Sequence, residues 1–183
     1  MGPDPNSTEA NLLRSAQAGD TEAFGVLCKL HARRTYAAAL ALTGRHDAAL
    51  DICQEAFAKA FAALQRIDPE RPLFPWLYRT VRHLGLNHLR DRSRSTATPE
   101  MDGFVAKHAD DPAEELAKAE LRDRCRAAIS ELPPLEREVL VLRQYQSLRY
   151  REIADLLRIP IETVMSRLYS ARRRLASDLK ELS

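Results

Sequence analysis

Apolar residues recur along most of this chain every three or four positions, the spacing of one face of an α-helix. Ser7–Ala18 is a short helical pattern that stops at Gly19. Asp20 can cap a second helix running to Leu42 and ended by Thr43-Gly44. A third spans Asp47–Arg66, with Leu50, Ile52, Cys53, Ala56, Phe57, Ala60, Phe61 and Leu64 on its apolar side. Asp68-Pro69-Glu70-Arg71-Pro72 forces a loop, and Phe74–Asp91 is a fourth helix that tolerates Pro75 in its first turn. From Arg92 to Asp110 the periodicity dissolves into Ser, Thr, Pro, Gly and acids. Asp111-Pro112-Ala113-Glu114-Glu115 then starts a helix that runs to about Glu131, where Pro133-Pro134 breaks it. Three further helices are predicted over Leu135–Tyr145, Tyr150–Leu157 and Ile161–Leu179. No alternating strand pattern occurs.

The pattern therefore predicts an all-α chain: two small helical domains, 7–92 and 112–183, joined by a flexible linker over 93–111. Composition agrees. Only 6 of the 183 residues are glycine. Leucines number 26 against 12 valines and isoleucines together, and few β-branched residues argue against a sheet. The longest apolar run, Tyr36–Leu42, is too short for a membrane span of about 20 residues. Three scattered cysteines and five histidines form no metal-ligand spacing, which predicts a reduced compartment and no metal or cofactor.

Charge adds what periodicity cannot. The formal net charge is only +2, but its distribution is uneven. Arg71–Arg94 carries six arginines and one acid, and Arg143–Leu175 carries eight arginines and three acids. Between them Ser95–Glu120 carries seven acids and two lysines. Two basic segments flank an acidic one, which predicts polyanion binding at two places.

The last three helices have the layout of a helix-turn-helix, with a tight turn at Leu157-Arg158-Ile159-Pro160. Ile161, Val164, Leu168, Ala171 and Leu175 form its buried face. Glu162, Met165, Ser166, Tyr169, Arg172 and Arg173 lie opposite, with Arg167 at the edge. A face mixing arginine, hydroxyl and aromatic groups can enter a major groove, although a solvated charged face has the same look. Upstream, Phe74, Trp76, Tyr78, Arg79, Arg82, His83 and Arg90 interleave rings with cations, the combination that holds single-stranded DNA. Trp76 also fits an apolar stripe with Leu77, Thr80, Val81 and Leu84, which predicts a place in the core. Asp51, Gln54 and Glu55 lie on one turn of the third helix, a polar, partly acidic patch that suits a basic partner helix or plain solvent.

These residues carry a resemblance. Leu132-Pro133-Pro134-Leu135-Glu136-Arg137-Glu138-Val139-Leu140, Tyr150-Arg151-Glu152-Ile153-Ala154 and Thr163–Arg172 resemble the fourth conserved region of bacterial group IV, or extracytoplasmic-function, sigma factors. Gly19-Asp20 with Ala23-Phe24, Asp51–Phe57, Trp76-Leu77-Tyr78-Arg79 and Asn87-His88-Leu89-Arg90 resemble the second region. The resemblance implies a cytoplasmic protein, not an enzyme, that binds the β and β′ subunits of core RNA polymerase. It implies recognition of −35 and −10 promoter DNA, melting at −10, and control by an anti-sigma factor that can hold the chain at the membrane.

Carried over to this sequence, the resemblance gives Asp51, Gln54 and Glu55 to the polymerase clamp. It gives Arg71, Phe74, Arg79, Arg82, His83 and Arg90 to −10 DNA. Thr163, Met165, Ser166, Arg167, Tyr169, Ser170, Arg172 and Arg173 go to −35 DNA. Met165 and Ser170 stand where the family commonly has basic residues, His83 where it often has asparagine, and Arg158 where it often has glycine. The acidic linker would thread a polymerase channel, or serve as a solubilising spacer. The rival reading is a conventional helix-turn-helix regulator with an upstream sensor, which predicts strands or a phosphoacceptor pattern.

Overall fold

The structure, a computed structural model, describes residues 5–92, 124, 125 and 127–181. All elements among them are helical: α1 Pro5–Gln17, α2 Thr21–Thr43, α3 His46–Ala62, α4 Leu73–Arg92, α5 Pro134–Gln144, α6 Tyr150–Leu157 and α7 Ile161–Glu181. The predicted linker and the helix start at Asp111 lie outside the described residues.

Local chemistry sets the boundaries. Gly19 stops α1 at φ 104°. The Asp20 carboxylate then accepts from the N–H groups of Glu22 and Ala23 at 2.9 and 3.1 Å, capping α2. Gly44 closes α2 in the left-handed region, its N–H bonded to Leu40 O at 2.9 Å. The third helix is shorter than its periodicity predicts. It ends at Ala62, and Leu64–Arg66 tightens into a 3-10 turn. Gln17 holds that turn, its amide donating to Leu64 O and Ile67 O at 2.9 and 2.8 Å. Those bonds come from α1, which local spacing cannot reveal. Glu9, also on α1, accepts from the Leu73 N–H at 2.5 Å and so caps α4.

One core cluster, with Leu13, Leu27, Leu64, Ile67, Leu73 and Leu77, lies wholly within the first half. The larger cluster crosses between halves. It joins Ala38, Leu42, Ile52, Tyr78 and Val81 to Leu132, Val139, Leu142, Ile153, Val164 and Leu168. The reason is visible in α2. Residues 37–43 are all buried, so this stretch has no solvent side. One side meets α3 and α4, and the other meets α5, where Val141 packs against Ala37 and Ala41. A helix that is apolar all round must be covered all round. Val139–Leu142 on α5 is buried in the same way.

Candidate nucleic-acid and polymerase interfaces

Three faces carry the predicted site residues. On α3, Asp51, Gln54 and Glu55 are all exposed, beside exposed Leu50. Their neighbours Ile52, Cys53 and Ala56 are buried, which turns the polar three outward. Glu55 pairs with Lys59 at 3.2 Å in solvent. Asp51 and Glu55 also edge a groove of about 610 Å³ between α3 and α4, shared with Asn87, His88 and Asp91. Spacing along the chain does not bring the last three to the acids of α3; their juxtaposition needs the packing angle of the two helices. At the start of α3, Arg45 and the Ala48 N–H hold the Asp47 carboxyl well below the usual carboxylate range.

The α4 face is divided. Arg71, Arg79, His83 and Arg90 are exposed. Arg71 pairs with Asp68 at 3.2 Å, and His83, Asn87 and Arg90 form a ladder at 3.1 and 3.0 Å along the helix. Phe74 departs from expectation. It is only 3% exposed, lies under the Arg34 guanidinium at 3.9 Å and stacks on His31, so it is core and offers no ring face to a base. Arg82 is also engaged. Its Nε donates to Glu138 of α5 at 2.9 Å, and the Tyr78 hydroxyl donates to the same oxygen at 2.6 Å. Burial, and then the Glu138 carboxylate, hold the Tyr78 hydroxyl well above its ordinary value, so it remains a donor. Trp76 is half-buried against the first-half core.

The α7 face is open. Val164, Leu168 and Ala171 are buried under it. Met165 and Tyr169 stand 48% and 67% exposed, with Ser166, Arg172 and Arg173 beside them. Thr163 and Ser170 are half-buried at its margins. Arg167 is half-buried too, and its Nη1 is enclosed without a hydrogen-bond partner. The turn that presents α7 depends on Arg158, held at φ 54°, ψ 50°. A non-glycine residue there costs on the order of 1 kcal/mol. Arg149 cannot cap α6 with its own side chain, but its N–H donates to Glu152 at 2.5 Å, half of a capping box.

An exposed helix following a tight turn in one half thus accompanies an arginine-bearing face in the other. Residues 27–95 match the family described as Sigma-70 region 2, and residues 122–175 match Sigma-70, region 4. The chain is 34% identical to the RNA polymerase sigma-H factor of Pseudomonas aeruginosa, over 95% of both chains. This chain belongs to the extracytoplasmic-function sigma factors. It directs promoter-specific transcription initiation, and the conventional regulator is set aside by the paired match. The sigma factor is also 27% identical to SigW of Bacillus subtilis, across 93% of this chain and 96% of that one. Among solved structures it is similar to CnrH in complex with the cytosolic domain of CnrY, with a TM-score of 0.65 and 27% identity over 96% of this chain and 99% of that one. It shares its fold with RpoE in complex with the anti-sigma factor NepR from Bartonella quintana, with a TM-score of 0.69 over 86% of this chain and 96% of that one. No described helix is long and apolar enough to cross a membrane.

Proposed function

We propose that this sigma factor divides promoter recognition between its halves, with polymerase docking on a third face. The α7 residues Thr163, Met165, Ser166, Arg167, Tyr169 and Ser170 read −35 base edges, and Arg172 and Arg173 meet phosphates. Arg71, Arg79, Arg82, His83 and Arg90 hold the −10 strand after melting. The buried ring of Phe74 shapes the loop before α4 instead of stacking on a base. Asp51, Gln54 and Glu55 dock on basic helices of the polymerase clamp. The protein acts in the cytoplasm, catalyses no reaction of its own, and is restrained by an anti-sigma partner comparable to those bound by CnrH and RpoE.

The observation that carries this reading is the exposed α7 face, with Tyr169, Arg172 and Arg173 outward over a fixed buried stripe. Such a face suits a major groove, where arginine can donate to guanine or phosphate. Transcription in vitro tests it. Purified core polymerase alone should give no specific start on chromosomal promoter fragments, and adding this protein should create one. Duplex binding with no dependence on core polymerase would overturn the proposal in favour of a conventional regulator.

A further inference from the structure

Glu9, Leu13 and Gln17 follow one another at four-residue intervals and so share one face of α1. That face holds both ends of the segment that joins α3 to α4. At the first end the Gln17 amide donates to Leu64 O and Ile67 O at 2.9 and 2.8 Å, and Gln65 returns a bond to Gln17 O at 2.7 Å. At the far end the Glu9 carboxylate accepts from the Leu73 N–H at 2.5 Å, and its second oxygen lies 3.4 Å from Nε2 of buried His31. Between them Leu13 is fully buried in one cluster with Leu64, Ile67 and Leu73. Arg14, one position on, pairs with Glu70 in solvent. The segment's own ties are short: the Asp68 carboxylate accepts from the Glu70 N–H at 3.0 Å and pairs with Arg71 at 3.2 Å. Outward it presents Asp68, Glu70, Arg71 and Pro72. The helix that does this holding lies before residues 27–95, the stretch that matches Sigma-70 region 2.

We infer that α1 is a brace for the −10 strand: Gln17 and Glu9 are positioning residues that set the shape of the loop around Arg71 before the melted strand arrives. This rests on the proposed assignment of Arg71 and α4 to that strand. A single strand brings no rigid surface of its own. A loop that had to be ordered around it would lose affinity for each residue fixed on binding. Pro69 and Pro72 already restrict two φ angles. The α1 bonds fix the two ends from outside the loop. They also fix where α4 begins, because the Leu73 N–H is one of the donors at its N-terminus that no helical carbonyl can take. Arg14 sets a cation beside Glu70, which offsets an acid on a surface meant for a polyanion. These α1 side chains act through the loop and not on the DNA. A loop shifted or softened holds the strand less well and distinguishes its bases less.

Gln17→Met keeps the length of the side chain and removes both donors. Polymerase carrying this variant is compared with polymerase carrying the unchanged protein, on a promoter whose start the unchanged protein creates and on copies with single changes in its −10 element. Permanganate reactivity of unpaired thymines reads the opening. Two lost hydrogen bonds, each worth a factor of a few, should reduce opening about tenfold and bring the intact and altered −10 elements closer together. Affinity for core polymerase and for −35 duplex should stay as they were, which a loss of fold would not allow. Glu9→Ala frees the other end of the loop and should move the same readouts. Ser15→Ala, on the exposed side of α1, should move none of them. The brace is overturned by unchanged opening and −10 preference in both brace variants, by an equal loss of opening and of polymerase affinity, or by an equal loss with Ser15→Ala. Arg71→Ala is read alongside. If it changes neither opening nor −10 preference, the assignment of the loop to the −10 strand fails. If it changes both while Gln17→Met and Glu9→Ala change neither, the brace alone fails.

Discussion

The two surfaces proposed to meet DNA in this sigma factor differ in how the rest of the chain engages them. On α7 Met165, Ser166, Tyr169, Arg172 and Arg173 are exposed over a buried Val164–Leu168–Ala171 stripe, while Thr163, Arg167 and Ser170 are half-buried. On α4 one predicted contact is core, another is paired with the second half, and the remaining four face solvent. The proposed roles fit that difference. A duplex is met by a rigid helix that needs no rearrangement. A single strand exists only after melting, so its surface is needed late and can be covered until then.

The largest expected effect tests whether the halves behave as one unit. Leu168→Ala empties a site in the shared core and should cost about 2–5 kcal/mol. Trp76 is the single tryptophan and lies in the first half. Its fluorescence and the helical circular dichroism should lose stability together as urea is raised. Separated transitions would break the comparison, because the first half would then not feel the second.

Next comes the α3 face proposed for polymerase, whose three polar residues are exposed. Alanine at Asp51, Gln54 and Glu55 together should weaken core binding at least about tenfold, or 1.4 kcal/mol, with an unchanged melting temperature. A lower melting temperature with intact polymerase affinity would assign these residues to folding.

Within α7 the comparison sharpens further. Arg167→Ala should relax preference at one −35 position by about 1–3 kcal/mol. Arg173→Ala should weaken all sequences alike and reduce the salt slope by about one. Binding of −35 variants at several salt concentrations separates them. Should Arg167→Ala behave like Arg173→Ala, its enclosed Nη1 serves a phosphate.

Acid pH gives the smallest effect, at the loop beneath the −10 face. Burial raises the Glu9 carboxyl, but His31 and the Leu73 N–H more than offset it and hold it below its ordinary value. A depressed carboxylate stabilises the fold above its unfolded value, and that stability is lost as pH falls through the folded one. Glu9→Gln should therefore lower stability near neutral pH and flatten its decline on acidification, read by urea melts between neutral and acidic pH. An unchanged slope would remove Glu9 from the support of α4.

Helix identities were legible wherever the signal was local. Asp20 and Gly44 bracket α2, and the turn before α7 shows in its residues. The buried and exposed sides of α7 followed from spacing alone. The α4 face was not legible to the same degree, because Phe74 and Arg82 owe their state to partners far along the chain. Arg34 covers Phe74, and Glu138 takes Arg82. Interleaved rings and arginines look alike in sequence whether they wait for a base or for a neighbouring helix. One signal did point to the covered interface. Tyr36–Leu42 and Val139–Leu142 are apolar on every side, and an amphipathic helix needs only one such side.

Gly44 has a role that its place in a turn conceals. A methyl group added there would sit 3.1 Å from Arg137 Nη1, and its backbone lies at φ 68°, where side chains are strained. Replacing it both unsettles the end of α2 and pushes on Arg137, whose Nε ties α5 to Ala41 O of α2 at 2.6 Å. Gly44→Ala should therefore loosen α2 and α5 together, read as faster amide exchange at residues 38–42 and 138–142 of one chain, although the glycine belongs to neither helix.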